Sequence, residues 1–170
     1  MRKSFKIIVA SICTLIVVSA FAFTPMLVSN RPLDNQEKAL AESMFGNQLN
    51  YEMIRIHEGG PLTWIYPGVT LGHLISFPRK AYDPEEKKNQ ALLLHELTHV
   101  WQYENGGWGY ALKSLLEEIF QKDAYVIHYD SNKTFAEYDY EEQAEIVASF
   151  FLYGTEDYEK YIREIQKRTQ

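Results

Sequence analysis

The pattern of apolar and polar positions predicts one helix, then extended segments, then mostly helices. Asp34 followed three residues later by Glu37 is typical of a capped helix start, and this helix is predicted to end at Gly46. Apolar and polar residues then alternate over YEMIRIHEG, which indicates a half-buried strand. Two further extended segments bounded by glycine and proline follow, TWIYPG and VTLGHLISFP.

The second half of the chain has the spacing of helices. Asp83 as a cap, with Pro84 in the first turn, predicts a helix that runs to about Glu104 and ends at Gly106 and Gly107. Three more helices are predicted, over Tyr110 to Lys122, over Tyr140 to Tyr153, and from Thr155 to about Arg168. A helix, a few strands and then further helices predict a domain of the α+β class.

The first residues differ from the rest of the chain. Three basic residues precede an apolar run from Ile7 to Val28, and the first acidic residue is Asp34. This pattern is typical of a secretory signal cleaved after Ala20-Phe21-Ala22, but the run is also long enough to be an uncleaved membrane anchor. We therefore expect an exported protein, either secreted or periplasmic, or tethered to the membrane. The expected division is 1–22 signal peptide or anchor, 23–33 linker, and 34–170 folded domain.

Charge and cysteine content narrow the classes of partner. Cys13 is the only cysteine and lies in the apolar run, so the exported part has neither a disulfide framework nor a thiolate metal ligand. Loss of residues 1–22 changes the net charge from −6 to −9, because they carry three positive charges and no acid. An acidic domain without a basic cluster is not expected to bind nucleic acid. Membrane contact is expected only through an uncleaved N-terminal segment.

The stretch NQALLLHELTHVWQ carries the candidate chemistry. His95 and His99 are four residues apart, so both lie on one face of the predicted helix and can bind one Zn²⁺ ion. Glu96 has the position of a general base, because zinc lowers the pKa of a bound water and a carboxylate can accept its proton. A solvated polar face is the alternative. The many leucines around the motif instead indicate a buried helix, in which two imidazoles need a partner such as a metal.

A catalytic zinc site needs three protein ligands and one open position. Glu141 and Glu145 lie four residues apart on a predicted helix; we assign Glu141 as the third ligand. Glu145 is then expected to accept a hydrogen bond from a zinc-bound histidine. An acidic, solvated helix face is the alternative. Three other side chains compete for the third ligand position, His128, Asp130 and Asp139.

HELTHVWQ followed by YDYEEQAE resembles the gluzincins, zinc peptidases with two histidines and a downstream glutamate. The metzincin pattern does not fit, because Gln102 and Asn105 stand where it has glycine and histidine. The closer resemblance is to small predicted metallopeptidases that bacteria encode beside contractile-injection or Rhs/Vgr-type secretion proteins. It covers roughly Asp34 to Tyr153, by the similar segments GNQLNYEMIRIH, GHLISFP and the series Tyr138, Glu141, Gln143, Ala144 and Glu145.

The resemblance implies a small zincin-like domain. In it, a short twisted sheet has an edge strand beside the buried motif helix, and further helices follow. Residues 70–77 are the implied edge strand, with Ser76 or its backbone as a peptide contact. The implied roles are His95, His99 and Glu141 as zinc ligands, Glu96 as base and Glu145 as their support.

Peptide hydrolysis also needs a donor for the developing oxyanion. Tyr138 is the candidate because it lies just before Glu141, with His128 and Tyr140 as alternatives. His57 is interpreted as structural. A lone histidine in a strand is also more often structural at His73, with a substrate contact as the alternative.

The expected function is that of an exported zinc metallopeptidase acting on a protein, a peptide or a peptide crosslink of the cell envelope. The alternative is a non-catalytic, zinc-stabilised module that binds a protein partner. Glu96 favours the enzyme, because a purely structural zinc site is closed by a fourth protein ligand and has no need of a base.

Overall fold

A computed structural model describes residues 29–60, 62–120 and 129–167. Short 3-10 turns lie at Leu62–Trp64 and Phe135–Glu137. The combination of a small sheet and helices confirms the predicted α+β class. The strands are β1 (Asn30–Pro32), β2 (Arg55–Glu58), β3 (Val69–Leu71) and β4 (Leu74–Phe77), and the helices are α1 (Asn35–Phe45), α2 (Lys87–Phe120), α3 (Tyr140–Tyr153) and α4 (Glu156–Lys167).

The predicted signal or anchor at 1–22 lies outside the described residues, as does most of the predicted linker. Within the described ranges, every helix is too short or too polar to cross a membrane.

The four strands form one mixed sheet in the order β1-β2-β4-β3. β2 and β4 run parallel, whereas β1 and β3 are antiparallel to their neighbours. The implied edge strand over 70–77 is therefore wrong in its extent. Gly72 has a left-handed backbone (φ 62°), which turns the chain between β3 and β4. Of the two strands in this segment, β3 lies at an edge of the sheet and β4 pairs on both sides.

β1 and α1 are joined by one buried carboxylate. Asp34 caps α1 by accepting hydrogen bonds from the backbone of Gln36 and Glu37, and Glu37 Oε2 accepts one from Asp34 N, which confirms the predicted capping box. Arg31 of β1 donates to both carboxylate oxygens of Glu37, at 2.7 and 2.8 Å. A strand of three residues that includes Pro32 has no sequence pattern, so the sequence did not predict β1.

The bounds of α1, α3 and α4 agree with the sequence to within about a residue, whereas α2 differs at its start. The separate helix predicted over Tyr110 to Lys122 is instead the second part of α2, which is described as far as Phe120. That helix begins at Lys87, because residues 83–86 form a turn in which Asp83 O accepts from Glu86 N. Gly107 has non-helical angles (φ 70°, ψ −166°), so the predicted break is present as a kink inside α2. α3 has the predicted bounds and ends at Gly154, which is left-handed.

α2 lies between strand β3 and helix α3 and forms the centre of the core. Six apolar side chains around the motif are at most 3% exposed, which confirms the buried helix that the leucines predict. These side chains are Ala91, Leu93, Leu94, Leu97, Val100 and Trp101. The motif residues therefore face β3 on one side and α3 on the other, away from bulk water.

Candidate metal centre

The structure brings two residues of α2 and one of α3 together. His95 Nε2 lies 3.3 Å from His99 Nε2 and 3.3 Å from Glu141 Oε2. His99 Nε2 lies 3.4 Å from Glu141 Oε1. His95 and Glu141 are buried, and the side chain of His99 is 11% exposed. The i, i+4 spacing on one helix and the first turn of the next helix therefore direct three donor groups to one point.

The donor set fits a catalytic zinc ion. One donor atom from each of the three residues lies within 4.8 Å of the others, and two imidazoles with one carboxylate are ligands that zinc accepts. Three protein ligands leave a coordination position open, as a hydrolytic site requires.

The competitors for the third ligand position are not in this group. Within the described part of the chain, only His95, His99 and Glu141 form a group that could hold a metal. Asp130 Oδ1 accepts hydrogen bonds from Asn132, and Asp139 is exposed just before α3. His128 lies outside the described residues. The geometry therefore favours Glu141 among the acids that the sequence left open.

Glu145 lies where the sequence analysis expects it, one turn after Glu141. Its Oε2 is 3.7 Å from His95 Nδ1, and its Oε1 accepts a hydrogen bond from Ser149 Oγ at 3.1 Å. A carboxylate on the Nδ1 side orients an imidazole so that Nε2 faces the metal. Glu142, between the two, instead accepts a bond from Asp139 N and caps α3.

Glu96 is held against the sheet by two residues that the sequence analysis did not identify. Its side chain is 4% exposed, and Thr70 Oγ1 of β3 donates a hydrogen bond of 2.7 Å to Glu96 Oε2. Gly68 lies directly over the same carboxylate: a Cβ there would overlap Glu96 Oε1 and lie 2.8 Å from its Cδ. No sequence pattern points to Gly68, because its role is to leave room for the side chain of Glu96, which is distant in the sequence.

Gly68→Ala is expected to displace the Glu96 carboxylate while the chain still folds. The backbone of Gly68 is not left-handed, so alanine is compatible with it, and the flexible Glu96 side chain is the group that must move. Since a displacement of about 1 Å can cost about 10²-fold in rate, the peptide cleavage that the sequence predicts should lose kcat/KM by about that factor.

Zinc affinity in this variant should stay within a few-fold of wild type, because none of the three ligands is touched. Thr70→Val is the companion variant, since it removes the hydrogen bonds of the Thr70 hydroxyl to Glu96 Oε2 and Glu96 O without adding an atom over the carboxylate. Unchanged kcat/KM in Gly68→Ala, with wild-type zinc content, would contradict this placement of the base.

The carboxylates change the protonation of both histidines in the metal-free protein. Burial alone lowers the pKa of His95, but hydrogen bonds to Glu141 and Glu145 outweigh it and raise that pKa to about 10. The pKa of His99 is also raised, because the charge of Glu141 outweighs burial. Burial alone raises the pKa of Glu141, but the two imidazoles outweigh it and hold that pKa well below its ordinary value. At neutral pH His95 is therefore cationic and the carboxylate of Glu141 is anionic.

Zinc binding is therefore expected to release at least one proton at pH 7. A metal needs the neutral imidazole, and His95 is protonated up to a pKa of about 10. Apparent zinc affinity should thus rise with pH up to that value, by about tenfold per unit for each proton displaced. Isothermal titration calorimetry in buffers of different ionisation enthalpy measures the released protons. A binding enthalpy independent of the buffer would contradict the raised pKa.

Two sequence predictions are not supported by the geometry. The Tyr138 hydroxyl is engaged in the core: it accepts from Asp130 N at 2.9 Å and lies 2.9 Å from the hydroxyl of Tyr161. Tyr138 precedes α3 and packs against Tyr161, so we do not retain it as the oxyanion donor. Ser76 as a substrate contact is wrong, because its side chain is fully buried on β4, a strand paired on both sides.

The two remaining histidines contact protein groups outside the metal centre. His57 Nδ1 lies 2.6 Å from Ser29 O, and His73 Nε2 lies 2.8 Å from Glu104 Oε1. Both contacts agree with the structural roles expected from the sequence.

A solved protein structure has a fold similar to this one. The chain is similar to the effector domain of VgrG2b. That domain, from Pseudomonas aeruginosa, superimposes with a TM-score of 0.62 at 24% identity, over 92% of this chain and 93% of the domain. This likeness supports the fold. In sequence, the type VI secretion system spike protein VgrG2b of the same organism is 28% identical over 160 residues. The alignment covers 85% of this chain, which spans only 15% of the length of that relative.

A family model points in the same direction. Residues 32–107 match the eCIS core domain. The match includes β2, β3 and β4 together with His95, Glu96 and His99, and it ends before Glu141. Together these similarities relate the chain to Vgr-type and contractile secretion proteins, as the resemblance implied.

Proposed function

We propose that the protein is a zinc-dependent metallopeptidase. The observation that carries the proposal is the convergence of His95, His99 and Glu141 beside a buried glutamate, Glu96, held by β3. A structural zinc site would be closed by a fourth protein ligand, and no fourth His, Cys, Asp or Glu joins this group among the described residues.

Each residue of the site has a separate role in the proposed hydrolysis. Zinc, when bound, supplies a Lewis acid that lowers the pKa of water and polarises a carbonyl. His95, His99 and Glu141 hold that ion, and Glu145 orients His95. Glu96 accepts the proton of the attacking water on its carboxylate and returns it to the leaving amine. Thr70 donates to Oε2, so Oε1 is the oxygen left for this transfer.

The edge strand gives the proposed substrate its place. β3 pairs with β4 on one side, and it carries Thr70, which contacts the base. A peptide added along the open side of β3 would therefore lie next to Glu96. Strand addition uses main-chain hydrogen bonds, so we propose an extended peptide or protein segment as substrate.

The cellular setting we propose is outside the cytoplasm. The basic and apolar N-terminal pattern supports export, and the similarity to VgrG2b supports a relation to secretion proteins. The proposed substrate is a protein or peptide of the cell envelope.

Removal of zinc tests the proposal. The full-length protein, purified in detergent, is assayed on a library of quenched fluorescent peptides before and after treatment with a chelator. Cleavage should be lost on chelation and restored by one equivalent of Zn²⁺. Cleavage that survives complete metal removal would contradict the proposal. A zinc-loaded protein that cleaves nothing would instead favour the non-catalytic binding module.

A further inference from the structure

The Nδ1 atoms of the two candidate histidine ligands face different acceptors. His95 Nδ1 faces the carboxylate of Glu145, whereas His99 Nδ1 lies 2.8 Å from the neutral amide oxygen of Gln102. Gln102 is 1% exposed and Gln143, which follows it in the hydrogen-bond chain, is 2% exposed. Two amides buried this deeply need complete hydrogen bonding, so the donors and acceptors around them determine which way each amide faces.

Two backbone carbonyls set the direction of this chain of bonds. Gln143 Nε2 donates to Tyr138 O at 2.9 Å, and a carbonyl can only accept. Gln143 Oε1 must then point toward Gln102, whose Nε2 donates to it at 3.1 Å and to Tyr140 O at 2.9 Å. Turning either amide over would place oxygen against oxygen.

The last bond in the chain fixes the tautomer of His99. Because Gln102 Nε2 is used in two donated bonds, its Oε1 faces the imidazole and accepts a proton from Nδ1. The lone pair of neutral His99 is thereby placed on Nε2, the atom beside His95 and Glu141. A neutral histidine with its proton on Nε2 could not bind the metal through that atom.

We propose that Gln102 and Gln143 are positioning residues that hold His99 in its metal-binding tautomer. The direction of the bonds comes from the backbone just before and at the start of α3, the helix that carries Glu141. One network therefore orients a ligand on α2 and joins it to the helix of the third ligand. This inference rests on the zinc site of the proposed function, but it does not depend on peptide cleavage.

Two substitutions of Gln102 separate positioning of His99 from plain packing of α2 on α3. Gln102→Met keeps the shape and removes every hydrogen bond. Gln102→Glu keeps an acceptor for His99 Nδ1 and loses the donors to Tyr140 O and Gln143 Oε1. Gln90→Met is the matched control, because Gln90 is also on α2 and donates to a backbone carbonyl, Pro84 O.

The test is the zinc dissociation constant of each full-length variant, by competition with a chromophoric chelator, beside its urea denaturation midpoint without metal. We expect zinc affinity to fall by about 10–100-fold in Gln102→Met and to stay within about fivefold of wild type in Gln102→Glu and Gln90→Met. The denaturation midpoint of Gln102→Glu should fall at least as far as that of Gln102→Met.

Three results would overturn the inference. The first is wild-type zinc affinity in Gln102→Met. The second is an equal loss of affinity in both Gln102 variants that follows their loss of stability, as packing alone predicts. The third is a wild-type protein that binds no zinc, which also removes the metal site of the proposed function. A wild type that binds zinc but cleaves no peptide refutes the proposed function alone, and the affinities of the variants still decide the inference.

Discussion

Replacing Glu96 with glutamine is expected to lower kcat for peptide cleavage by about 10²–10⁴-fold while zinc is retained. Glutamine has the size of glutamate, and its amide oxygen can accept the bond from Thr70 Oγ1, so the fold and the metal ligands are undisturbed. The amide cannot accept a proton at neutral pH, so the base is lost. Initial rates at saturating peptide, with zinc content measured on the same sample, give the effect.

The matched control is Glu104→Gln, which makes the same change on the same helix. Glu104 contacts His73 and Asn50 N instead of the metal group, so its loss is expected to change kcat by less than about threefold. If Glu96→Gln retains the wild-type rate at equal zinc content, another group is the base.

The second large effect is expected at the third ligand. Glu141→Ala removes one of three protein ligands, and we expect zinc affinity to fall by more than the roughly 10–100-fold that loss of a supporting residue such as Glu145 costs. The alanine variant also removes a buried carboxylate that raises the pKa of both histidines. The substitution therefore leaves no unpaired buried anion at this position. Competition with a chelating dye measures the zinc dissociation constants of Glu141→Ala and Glu145→Ala in the full-length protein.

Glu142→Ala is the control for this pair. It is the adjacent glutamate, and its carboxylate accepts from Asp139 N at the helix start. Its loss should cost about 1 kcal/mol of stability as a lost helix cap, with zinc affinity unchanged. Equal zinc affinity in Glu141→Ala and wild type, or equal losses in Glu141→Ala and Glu142→Ala, would move the third ligand to another residue.

The parts of the site that depend on local spacing can be predicted from the sequence. His95, Glu96 and His99 share one helix turn, and Glu141 and Glu145 share another, so helix periodicity predicts which side chains lie on one face. The same reasoning predicted α3 to the residue, because its first turn and Gly154 are both explicit in the sequence.

The contacts that the sequence did not reveal join segments far apart in the chain. Gly68 and Thr70 reach Glu96 across 28 and 26 residues, and Gln102 reaches Gln143 across 41. Gln102 had one local signal, its position three residues after His99 on the same helix face.

The edge strand was misjudged for a local reason. The left-handed Gly72 divides residues 70–77 into the hairpin β3–β4, and Ser76 is buried on β4, which pairs on both sides. Tyr138 was assigned by proximity to Glu141 in sequence, but the residue before a helix start can face either the site or the core. Here it faces Tyr161.

The most direct test of the metal centre is zinc K-edge X-ray absorption on the full-length protein loaded with one equivalent of Zn²⁺. We predict nitrogen or oxygen neighbours at about 2.0–2.2 Å that include two imidazoles, and one imidazole in His99→Ala. A spectrum of wild type without histidine scattering, or one unchanged in His99→Ala, would contradict a site built from His95, His99 and Glu141.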